Sequence, residues 1–135
     1  AKAGHFDVIG HGCNCFCNMG AGIAKAIKHE WPAAAEADYH TTSGDMNKLG
    51  KFSQIQCGKV VILNLYTQYR YGGRKANVDY MAIRNCMKAI KVRYGRLRIG
   101  LPLIGCGLAG GNWDRVECII EEELEGCDVT IVRFK

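Results

Sequence analysis

The chain has 135 residues, 48% of them hydrophobic, with 17 glycines, 2 prolines and 8 cysteines. That length suits one domain with a single core, the glycine-to-proline balance argues against a disordered linker, and no apolar run approaches the roughly 18 residues of a membrane helix. The 18 basic and 13 acidic side chains leave a charge of +5, which suits an anionic ligand without calling for nucleic acid.

Strand and helix signals alternate along the chain. Residues 6–10 read as a short strand running into a loop over 11–20. Residues 21–30 place Ile23, Ala24 and Ile27 on one helical face, and Trp31-Pro32 closes that helix. A second short helix is expected over 33–40, followed by a polar loop over 41–51. Strands follow at 53–57 and 59–66, joined by a tight turn at Gly58; the run Val60-Val61-Ile62-Leu63-Asn64-Leu65 is that of a strand covered on both faces. After a glycine-bearing loop over 69–75, residues 77–94 form a long amphipathic helix carrying Tyr80, Ile83, Met87 and Ile90 at helical spacing. A buried strand at 98–104, an acidic-faced helix at 112–125 and a last strand at 129–134 complete the pattern. It predicts an α/β fold of three layers, helices on both sides of a mixed, largely parallel sheet, over a single domain spanning 1–135. Ligands of such folds collect at the carboxyl ends of the strands.

Eight cysteines in a secreted chain would suggest a disulfide framework. Here Cys57, Cys86, Cys118 and Cys127 sit among apolar neighbours inside predicted elements, as small hydrophobes do. The first ten residues lack a signal peptide's apolar core, so a reducing cytoplasm is the expected location. Cys13, Cys15 and Cys17 are spaced C-x-C-x-C, unlike the wider pairs of structural zinc sites, and no metal is expected.

Two glycine-rich segments lead into helices: Met19-Gly20-Ala21-Gly22-Ile23-Ala24, and Ile104-Gly105-Cys106-Gly107-Leu108-Ala109-Gly110-Gly111. Glycines let backbone approach a ligand, and N–H groups at a helix start attract anions. Two such loops at equivalent strand-to-helix positions favour a pyrophosphate or two phosphates over a pair of plain turns. The second loop formally matches G-x-G-x-x-G, yet only 25 residues follow Gly110, too few for the rest of a dinucleotide fold. Cys106 lacks the arginine that a thiolate phosphatase loop would place at residue 112, where Asn112 stands. His11, just past the first expected strand, is a candidate acid, base or polar clamp.

In order along the chain, His11-Gly-Cys-Asn14, Met19-Gly-Ala-Gly-Ile-Ala24, Leu65-Tyr-Thr-Gln68 and Pro102-Leu-Ile-Gly-Cys-Gly-Leu-Ala-Gly-Gly-Asn-Trp113 resemble the macro domain family. The likeness runs from Asp7 to Phe134 and is nearest to the branch of ADP-ribose 1″-phosphate phosphatases and the terminal ADP-ribose protein glycohydrolase. It implies an ADP-ribose cleft across the strand ends, with Asn14 at the distal ribose. The loop of Gly20, Ala21, Gly22, Ile23 and Ala24 would then hold pyrophosphate and ribose. Thr67 and Gln68 would follow the central strand, and Gly105, Cys106, Gly107, Leu108, Ala109 and Gly110 would form the second phosphate loop.

The resemblance also narrows the activity. Where the glycohydrolase of this branch carries a lysine and an aspartate, this chain has Gln68 and Ala109. Neither can form a Schiff base with a sugar or serve as its acid–base partner. The family's first strand and its adenine-recognising aspartate would precede residue 7. The expected activity is hydrolysis of the terminal phosphate of ADP-ribose 1″-phosphate, with His11 and Asn14 as catalytic residues and no cofactor. Neither Asp45 nor Asp79 is clearly placed as a base. The alternatives are a non-catalytic ADP-ribose reader, or a hydrolase of ADP-ribosylated protein or O-acetyl-ADP-ribose. A further rival, nucleic-acid binding through Arg70, Arg74, Lys75, Lys91, Arg93, Arg96 and Arg98, rests on modest charge alone. The partners expected are therefore ADP-ribose or a phosphorylated derivative and ADP-ribosylated protein, with no membrane.

Overall fold

A computed structural model describes residues 5–71, 78–106 and 110–133. Five strands form one sheet in the order β2-β3-β1-β4-β5: β1 Val8–Cys13, β2 Phe52–Cys57, β3 Val60–Tyr66, β4 Arg98–Leu101 and β5 Asp128–Ile131. β1 runs parallel to both β3 and β4, and β4 parallel to β5, whereas β2 returns antiparallel to β3 through the turn at Gly58. This is the mixed, largely parallel sheet expected.

Helices cover both faces. α1 (Gly22–Glu30) and α2 (Pro32–Tyr39) lie on one, over a core that includes Ile9, Ile27, Ala34 and Ile62. α3 (Tyr80–Tyr94) and α4 (Trp113–Glu123) lie on the other, over Val8, Leu63, Leu65, Ile83, Met87, Ile90 and Ile120. β3 feeds both cores because consecutive side chains point to opposite faces, which is why its sequence is apolar almost throughout. Each fully buried aliphatic of this kind contributes about 1.5–3 kcal/mol from area removed from water.

Helix ends follow local chemistry. Pro32 opens α2, where its missing N–H costs nothing. The Asp79 carboxylate accepts from Ala82 N and starts α3 at Tyr80, three residues after the expected beginning at residue 77. The Asn112 side chain accepts from Asp114 N and Arg115 N at the start of α4. Among the described residues no helix is long and apolar enough to cross a membrane.

Several boundaries need correction, among them β5, which stops at Ile131 although the strand was expected to run on past Arg133. β1 continues to Cys13, past the expected end at Gly10, because its pairing with β3 carries on through His11↔Asn64, Gly12↔Leu65 and Cys13↔Tyr66. β4 stops at Leu101, before Pro102, whose ring removes a ladder donor. The loop expected over 41–51 contains a short 3-10 helix, Met46–Lys48.

Candidate functional site

The parallel pairing of β3, β1 and β4 brings three strand-to-helix connections to one edge of the sheet. Residues 14–21 lead from β1 to α1, residues 67–79 from β3 to α3, and residues 102–112 from β4 to α4. The sequence-predicted loops therefore share an edge. Gly107, Leu108 and Ala109 of the second glycine loop lie outside the described residues, as do residues 72–77 of the connection after β3.

The first loop is held by its own asparagines. Asn14 Oδ1 accepts from Phe16 N at 2.9 Å, and Asn14 Nδ2 donates to Asn18 O at 2.7 Å. Asn18 Oδ1 in turn accepts from Gly20 N. Cys17 adopts a left-handed backbone (φ 57°), and its thiol donates to Asp38 O at 3.2 Å. Asn14 is nearly buried, with each side-chain atom already used once. Its amide keeps one N–H and its oxygen one lone pair for another partner.

Where this loop enters α1, no side chain caps the helix. Ala21 occupies the N-cap in an extended conformation, no acidic residue stands in the first turn, and Gly20, Ala21 and Gly22 are exposed. Gly22 takes φ +60°, which favours glycine. Helix α1 thus offers its first N–H groups and positive dipole end to an anion, whereas α3 and α4 satisfy theirs with Asp79 and Asn112.

The second loop is shaped by close packing. Gly105 and Gly110 both have positive φ (74° and 70°), and Gly111 N donates to Gly105 O at 2.5 Å. A Cβ on Gly105 would stand 2.6 Å from Val78 Cγ2, and one on Gly111 would stand 2.5 Å from Gly105 O. Cys106 donates its thiol to Ile104 O, and burial raises its pKa, so it is a thiol that lines the turn and no ready nucleophile.

Thr67 is fully buried, and its hydroxyl has no hydrogen-bond partner among the described residues. A Cβ on Gly12 would come within 2.8 Å of that oxygen, so the glycine is what admits the threonine at the strand end. Gln68 bridges to Val78, and its Nε2 donates to Arg70 O.

The expected position of His11 is corrected. It lies inside β1, fully buried under α1 and α2, and not in a loop beyond the strand. Asn64 Nδ2 donates to Ala34 O and Ser53 Oγ, which turns Asn64 Oδ1 toward His11 Nε2–H at 2.7 Å. The Cys13 thiol lies 3.6 Å from Nδ1, the ring's acceptor nitrogen. Burial pulls the imidazole pKa down to about 4, against the opposing effect of the Asn64 bond, so the ring is neutral at pH 7. Asp45 and Asp79 are both engaged as caps, on Asn47 N and Ala82 N.

Sequence reasoning missed a buried polar group behind the first loop. Tyr66 donates its hydroxyl to Asp38 Oδ1 at 2.7 Å and shares a hydrogen bond with Ser53 Oγ at 2.8 Å. Lys48 Nζ donates to Cys15 O at 3.0 Å and lies 4.6 Å from the Tyr66 ring centroid. Asn64, the one polar residue in the apolar run of β3, was a readable signal. Lys48 carried none, because it stands in a polar stretch that reads as solvated. Groups of three or more potential metal ligands are absent among the described residues.

Comparison with known proteins places this arrangement. A 17.5 kDa protein of Enterobacteria phage T4, from the tk-vs intergenic region, is 37% identical over 94% of this chain and 86% of its own length. Human ADP-ribose glycohydrolase OARD1 is 27% identical over 95% of this chain and 81% of its own length. A crystal structure of a Bacteroides thetaiotaomicron protein superimposes with a TM-score of 0.83 at 29% identity, over 99% of this chain and 94% of that one. Residues 11–120 match the model of the macro domain, and the chain belongs to the macro domain family.

Proposed function

We propose that this macro domain binds ADP-ribose at the carboxyl edge of its sheet and hydrolyses the terminal phosphate of ADP-ribose 1″-phosphate. The observation that carries the reading is the uncapped, acid-free start of α1 beside the exposed Gly20–Gly22 backbone. Backbone N–H groups there would hold the pyrophosphate, and the turn closed by Gly111 N on Gly105 O would face it from β4. The glycohydrolase name of the human relative supports an ADP-ribose ligand.

In the reaction, water attacks the terminal phosphorus, the bond to the 1″ oxygen breaks, and that oxygen leaves as the hydroxyl of ADP-ribose. Fixed N–H donors would stabilise the charge that builds on the phosphoryl oxygens. Asn14 would orient the distal ribose through its remaining amide N–H. His11, neutral and buried, would act by holding β1 against β3 and so placing Asn14, three residues on. Gln68 offers an amide and no amine, which disfavours a Schiff-base route on ADP-ribosylated protein.

A second reading, a non-catalytic ADP-ribose binder, is favoured by the burial of His11 and by the capping roles of Asp45 and Asp79. Phosphate release separates the two. ADP-ribose 1″-phosphate, O-acetyl-ADP-ribose and an ADP-ribosylated protein should be assayed side by side, with ADP-ribose affinity measured by calorimetry. Turnover of the first substrate alone supports the phosphatase. Binding without turnover of any supports the binder, and no binding refutes both.

A further inference from the structure

Lys48 is buried to 8% exposure, which is unusual for a lysine and demands partners for its ammonium. Its partners are two residues of the first loop, Cys15 and Cys17, and the Tyr66 ring behind it. Nζ donates to Cys15 O, stands 3.7 Å from Cys17 Sγ and rests over the Tyr66 ring. The Asp38 carboxylate, 1% exposed and bonded to Tyr66 OH, supplies the nearby negative charge.

The Cys15 carbonyl is the point of transmission. It accepts from Gly44 N at 2.7 Å as well as from Lys48, so both its lone pairs are used. The other end of the same peptide unit is Phe16 N–H, which donates to Asn14 Oδ1. Asn14 then donates from Nδ2 to Asn18 O. The path therefore runs from the ammonium through one peptide group and one side-chain amide, both planar and polarisable. A cation bonded to an amide oxygen draws electron density from its nitrogen and makes the N–H a stronger donor. Here the cation acts on the Cys15 oxygen, and the strengthened Phe16 N–H then polarises the Asn14 amide in turn, ending on the Nδ2 group whose second hydrogen is uncommitted among the described residues.

We propose that Lys48 is a positioning residue for ligand recognition: through the Cys15–Phe16 peptide it fixes the Asn14 carboxamide and strengthens its free N–H as a donor to the distal ribose. The inference rests on the ADP-ribose reading above. Lys48 touches no ligand itself, and its part is played entirely through Asn14.

The test is a double-mutant cycle of Lys48→Met and Asn14→Ala, read by ADP-ribose affinity in calorimetry and by the Phe16 amide proton in NMR spectra. Coupling between residues of one network predicts that Lys48→Met weakens ADP-ribose binding roughly five- to tenfold when Asn14 is present, and less than about twofold when it is alanine. The Phe16 amide proton should move upfield in Lys48→Met and return toward its wild-type position in Lys48→Arg. Because Lys48→Met leaves Asp38 buried beside no cation, a Lys48→Met/Asp38→Asn variant repeats the measurement with that charge removed. Equal loss of affinity with and without Asn14, or an unmoved Phe16 amide proton, overturns the proposal and leaves Lys48 a structural strut. If the wild-type protein fails to bind ADP-ribose, the ligand reading falls, while the Phe16 proton still reports whether Lys48 polarises the loop.

Discussion

Acidification should destabilise this protein through His11 before its carboxylates titrate. The ring's folded pKa of about 4 lies below its ordinary 6.5, because the charged form would be buried beneath the helices that cover β1. The unfolded chain therefore takes the proton first. The stability that His11 contributes is full above pH 6.5 and is lost as pH falls toward 4. Each pKa unit corresponds to about 1.4 kcal/mol, so the loss reaches about 2 kcal/mol at pH 5 and levels off at about 3 kcal/mol below pH 4. Asp38, whose pKa burial raises, works in the opposite direction. Comparison with His11→Gln cancels that contribution, since a glutamine amide can still donate to Asn64 Oδ1 but does not titrate. Urea unfolding at half-unit steps from pH 7.5 to 4.5 should give a wild-type curve falling by about 2.5 kcal/mol more than the variant's. Parallel curves for the two proteins, or an imidazole that titrates near 6.5 in NMR spectra of the folded state, would refute the burial argument.

The uncapped α1 start makes a prediction in which stability and binding part company. Ala21→Asp supplies the missing N-cap and should raise stability by about 0.5–2 kcal/mol in thermal unfolding, yet it should weaken ADP-ribose binding at least tenfold by filling the site with a carboxylate. Tight binding by this variant would count against the α1 terminus as the pyrophosphate site. In the second loop, Gly105→Ala must meet Val78 at a positive φ and should cost about 1–3 kcal/mol in urea unfolding. A Val78→Ala change should recover the steric part only. At the opposite edge, Arg98 holds the Asp7 carboxyl down to about 2 by hydrogen bonds and charge. That stability is present above pH 3.8 and is lost as pH falls toward 2, so Asp7→Asn should flatten the acid limb of the Tm profile in that window.

Much of the candidate site was legible because its signals are local. Gly20–Gly22 before an apolar helix, and Gly105–Gly111 before another, announce strand-to-helix turns whatever surrounds them. Asn112 and Asp79 went unread as caps, although each lies three positions or fewer from the N–H groups it satisfies. His11 was misplaced for the opposite reason. Histidine followed by glycine, cysteine and asparagine has loop chemistry, and the strand continues through it because β1 stays paired with β3 as far as Cys13, with Asn64, 53 residues away, accepting from the ring.

The amino-acid sequence by itself determined the alternation of strands and helices, the two glycine turns and the apolar character of β3, since each depends on periodicity or on conformations open to a few residue types. Only the tertiary structure decided which polar residues are buried and with whom. Lys48, Asp38 and Tyr66 meet because β3 and α2 pack together behind the first loop, and nothing in the neighbours of any one of them foretells it. Charge burial is a property of three-dimensional company: the same lysine in the same polar stretch would be solvated if Cys15, Cys17 and Tyr66 were not folded over it.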